Sequence, residues 1–342
     1  MPSKKNRLPR IGINGFGRIG RNVFKAMVVK PQLEVVAMND LTDNHTLAHL
    51  LQYDSCYGRY NHDISYNDES IIVDGHKYLA LAEKDPSNLP WSSLGIDIVI
   101  ESTGRFTSGE EALAHVRAGA KKVIISAPAK DEATKTVVLG VNEAELQVSD
   151  QVISMASCTT NCLAPLTKVL VDKIGIEKAV MSTIHAYTAD QNLVDGPHKD
   201  LRRARSAALS IIPTTTGAAR AVAKVIPELN GQFDGLAFRV PTPVVSLCDV
   251  VFVTKRPVSV EEINNILREA AENDRFDVLA VTEEPLVSVD LAGNPVSSIV
   301  DLSLTTVVGD NLVKVVAWYD NEWGYSQRLA DLAAYIADNN LL

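Results

Sequence analysis

The segment Ser157-Cys158-Thr159-Thr160-Asn161-Cys162 lies between a β-branched run, Val152–Met155, and a helix-like run through Leu163, Leu166, Val169 and Leu170. Ser157 is a natural N-cap, which puts Cys158 in the first helical turn, where unsatisfied N–H groups and the helix dipole favour a thiolate. A thiolate so placed can attack a carbonyl carbon. A cysteine at a helix start serves equally well as a small buried apolar residue, and position alone does not decide. Cys162, one turn on, reads as core, and Pro165 should kink the helix. A nucleophilic thiol needs a base. His185, in Ser182-Thr183-Ile184-His185-Ala186-Tyr187-Thr188, ends a predicted strand, whereas the other six histidines lie in polar or helical stretches. A hydrogen-bonded structural histidine is the default for such a site, and spacing does not pair His185 with Cys158.

A second chemistry is written in Gly15-Phe16-Gly17-Arg18-Ile19-Gly20, a G-x-G-x-x-G after a predicted strand and before a predicted helix. Glycines there allow a tight turn and let backbone N–H groups approach a pyrophosphate at the positive helix end. Alone, the motif fits a plain structural turn equally well. The next strand, Leu33–Asn39, ends in Asp40, whose carboxylate would accept from the ribose hydroxyls of NAD and repel the 2′-phosphate of NADP. The competing role for Asp40 is that of a turn residue or helix cap.

A third signal is basic. Pro197–Arg205 reads Pro-His-Lys-Asp-Leu-Arg-Arg-Ala-Arg in a chain of net charge −9. The hydroxyl-rich Pro213-Thr214-Thr215-Thr216-Gly217 follows, then Arg239. Guanidinium, hydroxyl and helix-start N–H groups are what a phosphate dianion requires. Arg202 and Arg205 read equally well as a solvated or subunit-contacting loop.

These residues need a frame. The 342 residues are 46% hydrophobic and 22% charged, which suits a globular chain of two domains. The acidic balance disfavours nucleic acid and anionic membrane as partners. No apolar run approaches the ~18 residues of a membrane span. The basic start (Lys4, Lys5, Arg7, Arg10) lacks the apolar run of a secretory signal. Four cysteines without C-x-x-C pairing argue against a zinc site or disulfide framework and for a reducing, cytoplasmic setting.

Strands are expected at Ile11–Asn14, Leu33–Asn39, Asp97–Glu101, Lys122–Ser126 and Val152–Met155. Helices are expected at Arg18–Val29 and Gly109–Ala118. This alternation implies βαβ units on a parallel sheet, up to about Ser157. Longer strands follow at Ala179–Thr188, Gly235–Val240, Val244–Lys255, Ser297–Val308 and Leu312–Tyr319, with a helix at Val260–Ala271. They suggest a mostly antiparallel sheet half covered by helices. Leu329, Leu332, Ala333 and Ile336 mark a closing amphipathic helix from Tyr325 to about Asp338. The expected fold class is α/β plus α+β: a Rossmann dinucleotide-binding domain over 1–157, an antiparallel catalytic domain over 158–320, and a helical segment, 321–342.

Taken together the motifs resemble one family, the phosphorylating glyceraldehyde-3-phosphate dehydrogenases. The resemblance runs from INGFGRIGR (Ile13–Arg21) through ASCTTNCLAP (Ala156–Pro165), HAYTADQ (His185–Gln191), PTTTGAA (Pro213–Ala219) and FRVPTP (Phe238–Pro243) to WYDNEWGYS (Trp318–Ser326). It is the resemblance that pairs Cys158, as nucleophile, with His185, as base. It implies NAD contacts at Arg18, Ile19, Asp40, Ser126 and Asn321 beside the motif glycines Gly15, Gly17 and Gly20. It implies an inorganic-phosphate site at Ser157, Thr159, Arg203, Thr216 and Gly217, and a substrate-phosphate site at Thr188 and Arg239. It further implies a homotetramer in which the loop around Asp190–Ala204 packs between subunits, and a final helix that returns to the NAD-binding domain. Asp40 and Pro197 match NAD-using members. Lys84 departs from the arginine many relatives carry near the adenine, keeping the charge without the planar fork.

The implied reaction converts glyceraldehyde 3-phosphate and inorganic phosphate to 1,3-bisphosphoglycerate through a thiohemiacetal and a thioester. The sister activity, erythrose-4-phosphate dehydrogenase, shares the cysteine–histidine pair, but its members lose PTTTG and the Tyr-Thr after the histidine, both intact here. A non-catalytic NAD- or RNA-binding role on the same fold would leave nucleophile, base and two phosphate sites redundant.

Overall fold

A computed structural model describes residues 7–342; Lys4 and Lys5 lie outside the described residues. The chain divides into two units. One runs up to Thr136 and takes in Glu145–Met155 and Ser326–Leu342; the other comprises Val137–Ala144 and Ala156–Tyr325. The final helix, Trp323–Asp338, thus spends most of its length in the first unit.

The first unit is built on a nine-stranded sheet. In spatial order its strands are Lys135–Thr136, Val152–Ser154, Lys122–Ile125, Ile98–Glu101, Arg10–Asn14, Glu34–Asn39, His76–Leu81, Ser70–Val73 and Ile64–Tyr66. All neighbours through His76–Leu81 pair in parallel, and the last two add antiparallel. From Arg10–Asn14 the chain moves outward through Glu34–Asn39 on one side and later through Ile98–Glu101 on the other. The two central strands therefore flank a topological switch point, where the loops after their C-terminal ends leave a crevice. The helix Arg18–Met27 follows the first strand, and Trp91, Val99, Ala112, Val123 and Ile125 form part of the core on the sheet. The antiparallel strands between residues 64 and 81 carry short mixed patterns that the sequence periodicity does not reveal.

The second unit holds an eight-stranded sheet in the order Ile212–Thr215, Phe233–Val240, Ile176–Ala186, Ser246–Thr254, Leu312–Tyr319, Ser298–Asp301 and Leu279–Thr282, with Thr306–Val308 hairpinned onto Leu312–Tyr319. Two of its pairings are parallel and the rest antiparallel. The long strand expected over Ser297–Val308 is broken by a turn of 3-10 helix at Leu302–Leu304. Strand alternation sets the two faces: Met181, Thr183 and His185 point inward and are buried, whereas Val180 is 56% exposed on the other side. The helix Cys158–Ile174 lies on the inner face together with Ala218–Val225 and Val260–Glu272. Pro165 sits inside the first of these helices, which continues past it to Ile174. Among the described residues no helix is long and apolar enough to cross a membrane.

Candidate active site

Ser157 caps the helix that carries Cys158, its hydroxyl accepting from Thr160 N at 3.0 Å, a cap that contributes ~1 kcal/mol to such a helix. The residue before it, Ala156, has φ +55°, a left-handed turn that aims the helix start. Its carbonyl accepts from the Tyr325 hydroxyl at 2.8 Å. Non-glycine residues in this region carry ~1–3 kcal/mol of strain, which accumulates where geometry is functional.

Cys158 Sγ stands 3.6 Å from His185 Nε2. Nδ1 of the same ring lies 2.7 Å from the Ala186 carbonyl, which can only accept, so Nδ1 carries the proton and Nε2 turns its lone pair to the thiol. The ring of Tyr319 meets the imidazole edge-on at 6.0 Å. The Tyr319 hydroxyl joins those of Thr159 and Thr183, each at 2.9 Å. Thr159 is 4% exposed.

Burial pushes the Cys158 thiol up to about 11, although the residue keeps some solvent-facing surface; the Thr159 hydroxyl and N–H and the Arg239 charge pull the other way. Burial likewise drives His185 down to about 4, with Arg239 adding to the effect and the Ala186 carbonyl opposing it. Burial thus opposes charging either partner singly. Each shift is the cost of charging one partner alone. Moving the proton from Sγ to Nε2 charges both together, and attraction across 3.6 Å at an effective dielectric of ~20 returns on the order of 4 kcal/mol. A proton acceptor held at the thiol is what makes nucleophilic attack accessible near neutrality.

Two basic groups follow, Arg239 on the same sheet and Arg203 in a turn. Arg239 pairs in parallel register with His185. Its Nη1 donates to Thr188 Oγ1 at 2.5 Å and Gln191 Oε1 at 3.2 Å. The structure so joins Arg239 and Thr188, two residues 51 apart in sequence. Arg203 donates from Nε to Thr214 Oγ1 at 2.9 Å and is ion-paired with both Asp190 and Asp200. An anion at Arg203 must therefore compete with two carboxylates, a restraint that the spacing of the basic run does not disclose. Thr216 Oγ1 accepts from Ala218 N at 3.1 Å, and Gly217 opens the helix Ala218–Val225 with open space where a Cβ would stand.

Asn321 is 5% exposed and its Oδ1 accepts from Ser246 Oγ at 3.0 Å. Asp320 beside it holds the turn, accepting from Glu322 N, Trp323 N and Gly293 N. Cys162 is fully buried, its Sγ 3.7 Å from Ser298 Oγ. Nothing in the types of Tyr319 and Ser246 marks them as site residues; only their places at strand ends beside the helix bring them in.

In the first unit the glycine loop has the geometry of an anion cradle. Gly15 has φ +90° and a Cβ on it would meet Thr103 N at 2.7 Å, while a Cβ on Gly20 would meet Gly15 O at 2.0 Å. Gly17 is exposed, has open space where its Cβ would be, and starts the helix without a side-chain cap. That is room for a pyrophosphate at a helix N-terminus. Arg18 and Ile19 form the first turn, and Arg18 is paired with Asp54 at 3.2 Å. Asp40 accepts from Phe16 N at 2.8 Å and Thr42 N at 3.0 Å, so it does fix the turn, and each oxygen keeps a further lone pair for a ribose hydroxyl. Ser126 follows the strand Lys122–Ile125, at the C-terminal edge of the sheet.

His115, unremarkable in the sequence, lies fully buried beneath this loop. Trp91 Nε1 donates to its Nδ1 at 2.9 Å, so Nε2 carries the proton and donates to Glu101 Oε2 at 2.9 Å. Glu101 also accepts from Asn14 Nδ2 at 2.6 Å, and Asn39 Nδ2 donates to Asn14 Oδ1 at 2.7 Å. This buried chain ties together the ends of three adjacent parallel strands.

A family description, the NAD binding domain of glyceraldehyde 3-phosphate dehydrogenase, matches residues 9–109, and the C-terminal domain of the same enzymes matches 157–321. Glyceraldehyde-3-phosphate dehydrogenase of Geobacillus stearothermophilus is 57% identical over 333 residues, 97% of this chain and 99% of that protein. The corresponding protein of Bacillus subtilis (strain 168), glyceraldehyde-3-phosphate dehydrogenase 1, is 55% identical over 333 residues with the same coverage, and that of Mycobacterium avium 55% over 334 residues, 96% and 98% of the two chains. With a thiol at a helix start beside an imidazole on a mostly antiparallel sheet, and a dinucleotide loop on a mostly parallel one, the chain belongs to the glyceraldehyde 3-phosphate dehydrogenase family.

Proposed function

We propose that the protein is an NAD-dependent phosphorylating aldehyde dehydrogenase that converts glyceraldehyde 3-phosphate to 1,3-bisphosphoglycerate. The observation that carries this reading is the thiol at 3.6 Å from an imidazole nitrogen whose tautomer is fixed by the Ala186 carbonyl. Bound NAD supplies the acceptor for a hydride; every other step belongs to side chains described above.

The Cys158 proton passes to His185 Nε2 as sulfur attacks the aldehyde carbon. The Cys158 N–H at the helix start and the imidazolium Nε2–H stabilise the oxygen anion of the tetrahedral adduct, which becomes the thiohemiacetal. His185 Nε2 then takes the hydroxyl proton while the hydride departs, leaving a thioester on Sγ. An oxygen of inorganic phosphate attacks the thioester carbon, and the thiolate leaves as the acyl phosphate forms. Thr188 and Arg239 hold the substrate phosphate. Ser157, Thr159, Arg203, Thr216 and Gly217 receive the attacking phosphate. Arg18, Ile19, Asp40, Ser126 and Asn321 hold NAD together with the glycine loop.

The chain forms a homotetramer in the cytoplasm in this reading. Leu193, Val194, Leu201, Leu209 and Ile211, each at least 69% exposed, lie in and beside the loop assigned to subunit contact. The acyl intermediate gives a direct test. Mixed with NAD and glyceraldehyde 3-phosphate but no phosphate, the enzyme should release a burst of about one NADH per chain and carry the acyl group on Cys158 by mass spectrometry. Adduct on another residue, or no burst, overturns the assignment.

A further inference from the structure

Ser246 has one hydroxyl and two partners that matter. Its Oγ accepts from Ala186 N at 3.0 Å and lies 3.0 Å from Asn321 Oδ1. A backbone N–H only donates, so the hydroxyl proton is left for Asn321, whose Oδ1 receives it. Ser246 is 2% exposed and heads the strand Ser246–Thr254 in register with Tyr319. The residue before it, Val245, has φ +68°, a left-handed conformation that a β-branched side chain rarely adopts. Chain strain is thus stored where this hydroxyl is aimed.

The two hydrogen bonds reach different parts of the chemistry. Ala186 is held at its N–H, on one side of its Cα, and on the other side its carbonyl fixes His185 Nδ1–H at 2.7 Å, and so presents Nε2 to the thiol. The Asn321 amide held through Oδ1 cannot turn over, so its Nδ2 end stays available to donate to a bound group. We infer that Ser246 is a positioning residue that sets the proton-accepting face of His185 and the donating end of Asn321 through one hydroxyl, linking the base to the cofactor-holding amide. The inference rests on the proposed roles of His185 as base and Asn321 as an NAD contact.

Ser246→Ala leaves a buried N–H and a buried carbonyl oxygen without partners and lets the Asn321 amide rotate. Expected in the full-length enzyme are a roughly tenfold weaker NAD dissociation constant, measured by calorimetry without substrate, and a roughly tenfold lower kcat. Alkylation of Cys158 by iodoacetamide without NAD should also slow near neutral pH, because Nε2 is less well presented. Ser246→Thr, which retains the hydroxyl, should recover both constants to within a few-fold; a role in packing alone would make it the worse of the two. In an Asn321→Ala background, Ser246→Ala should weaken NAD no further, because the amide it orients is gone. If Ser246→Ala does not fold, Ser246→Cys, nearly isosteric and a weaker hydrogen-bonding group, carries the same prediction for NAD.

Unchanged NAD affinity in Ser246→Ala, with Asn321→Ala clearly weakened, overturns the inference and leaves the reading of Asn321 standing. Unchanged affinity in Asn321→Ala removes the NAD role of Asn321 and with it the cofactor arm of the link. Equal loss in the Ala and Thr variants also overturns it.

Discussion

At the scale of single residues, the site is a thiol and an imidazole placed to exchange a proton. Burial raises the thiol of Cys158 and lowers the imidazole of His185, so neither charges cheaply alone. For His185→Asn we expect kcat to fall ~10²–10⁴-fold, the usual worth of a positioned base. Alkylation of Cys158 should fall as well and its pH profile move toward the about 11 that burial imposes on the isolated thiol. An unchanged profile would contradict the pairing. The same histidine bears on stability. Its value of about 4 in the fold lies below the ordinary 6.5, so the unfolded chain binds its proton first as the pH drops. The contribution is whole above pH 6.5 and is lost as the pH falls from there toward 4; at ~1.4 kcal/mol per pH unit the loss reaches about 3 kcal/mol. Thermal melts from pH 7 to 4 should therefore decline less steeply in His185→Asn than in the parent; parallel curves would rule this out.

At the scale of elements, the glycine loop separates packing from binding. A Cβ on Gly20 would lie 2.0 Å from Gly15 O, whereas one on Gly17 meets nothing within 4 Å. Gly20→Ala should thus destabilise the first unit or prevent its folding. Gly17→Ala should melt close to the parent yet raise the KM for NAD about tenfold or more, because the methyl occupies the space left for the pyrophosphate. A Gly17→Ala enzyme with unchanged KM would take the cofactor away from this loop. The elements differ in how readable they are. The helix starting at Cys158 and the strands ending at Asn14 and Asn39 follow from caps, glycines and β-branched runs, all local signals. The break at Leu302–Leu304 is not legible, since Ser297–Val308 keeps a strand-like composition throughout. Nor is the partnership of His185 with Arg239, which depends on parallel register between strands far apart in sequence. Thr159 carries the same lesson: the motif names it, but its hydrogen bond with Tyr319 joins it to a distant strand that no local signal reveals.

At the scale of the whole molecule, exposed apolar side chains call for a partner. Leu201 and Leu209 are 82% and 86% exposed, and Val180 and Leu236 face outward from the second sheet. Isolated chains do not hold so much apolar surface in water without consequence. Light scattering should give a mass of about four times 37.1 kDa, and Leu201→Glu with Leu209→Glu should lower it. A monomeric parent would refute the tetramer. Charge and composition bound the partners from the sequence alone, but which copy's loop meets which surface depends on shape that no motif encodes. The central claim, that oxidation is conserved in a thioester which phosphate must open, is tested most directly by following NADH formation from NAD and glyceraldehyde 3-phosphate with and without inorganic phosphate. Steady turnover should require all three, stop after one burst without phosphate, and vanish in Cys158→Ser. Steady turnover without phosphate, or faster turnover with erythrose 4-phosphate, would contradict the account.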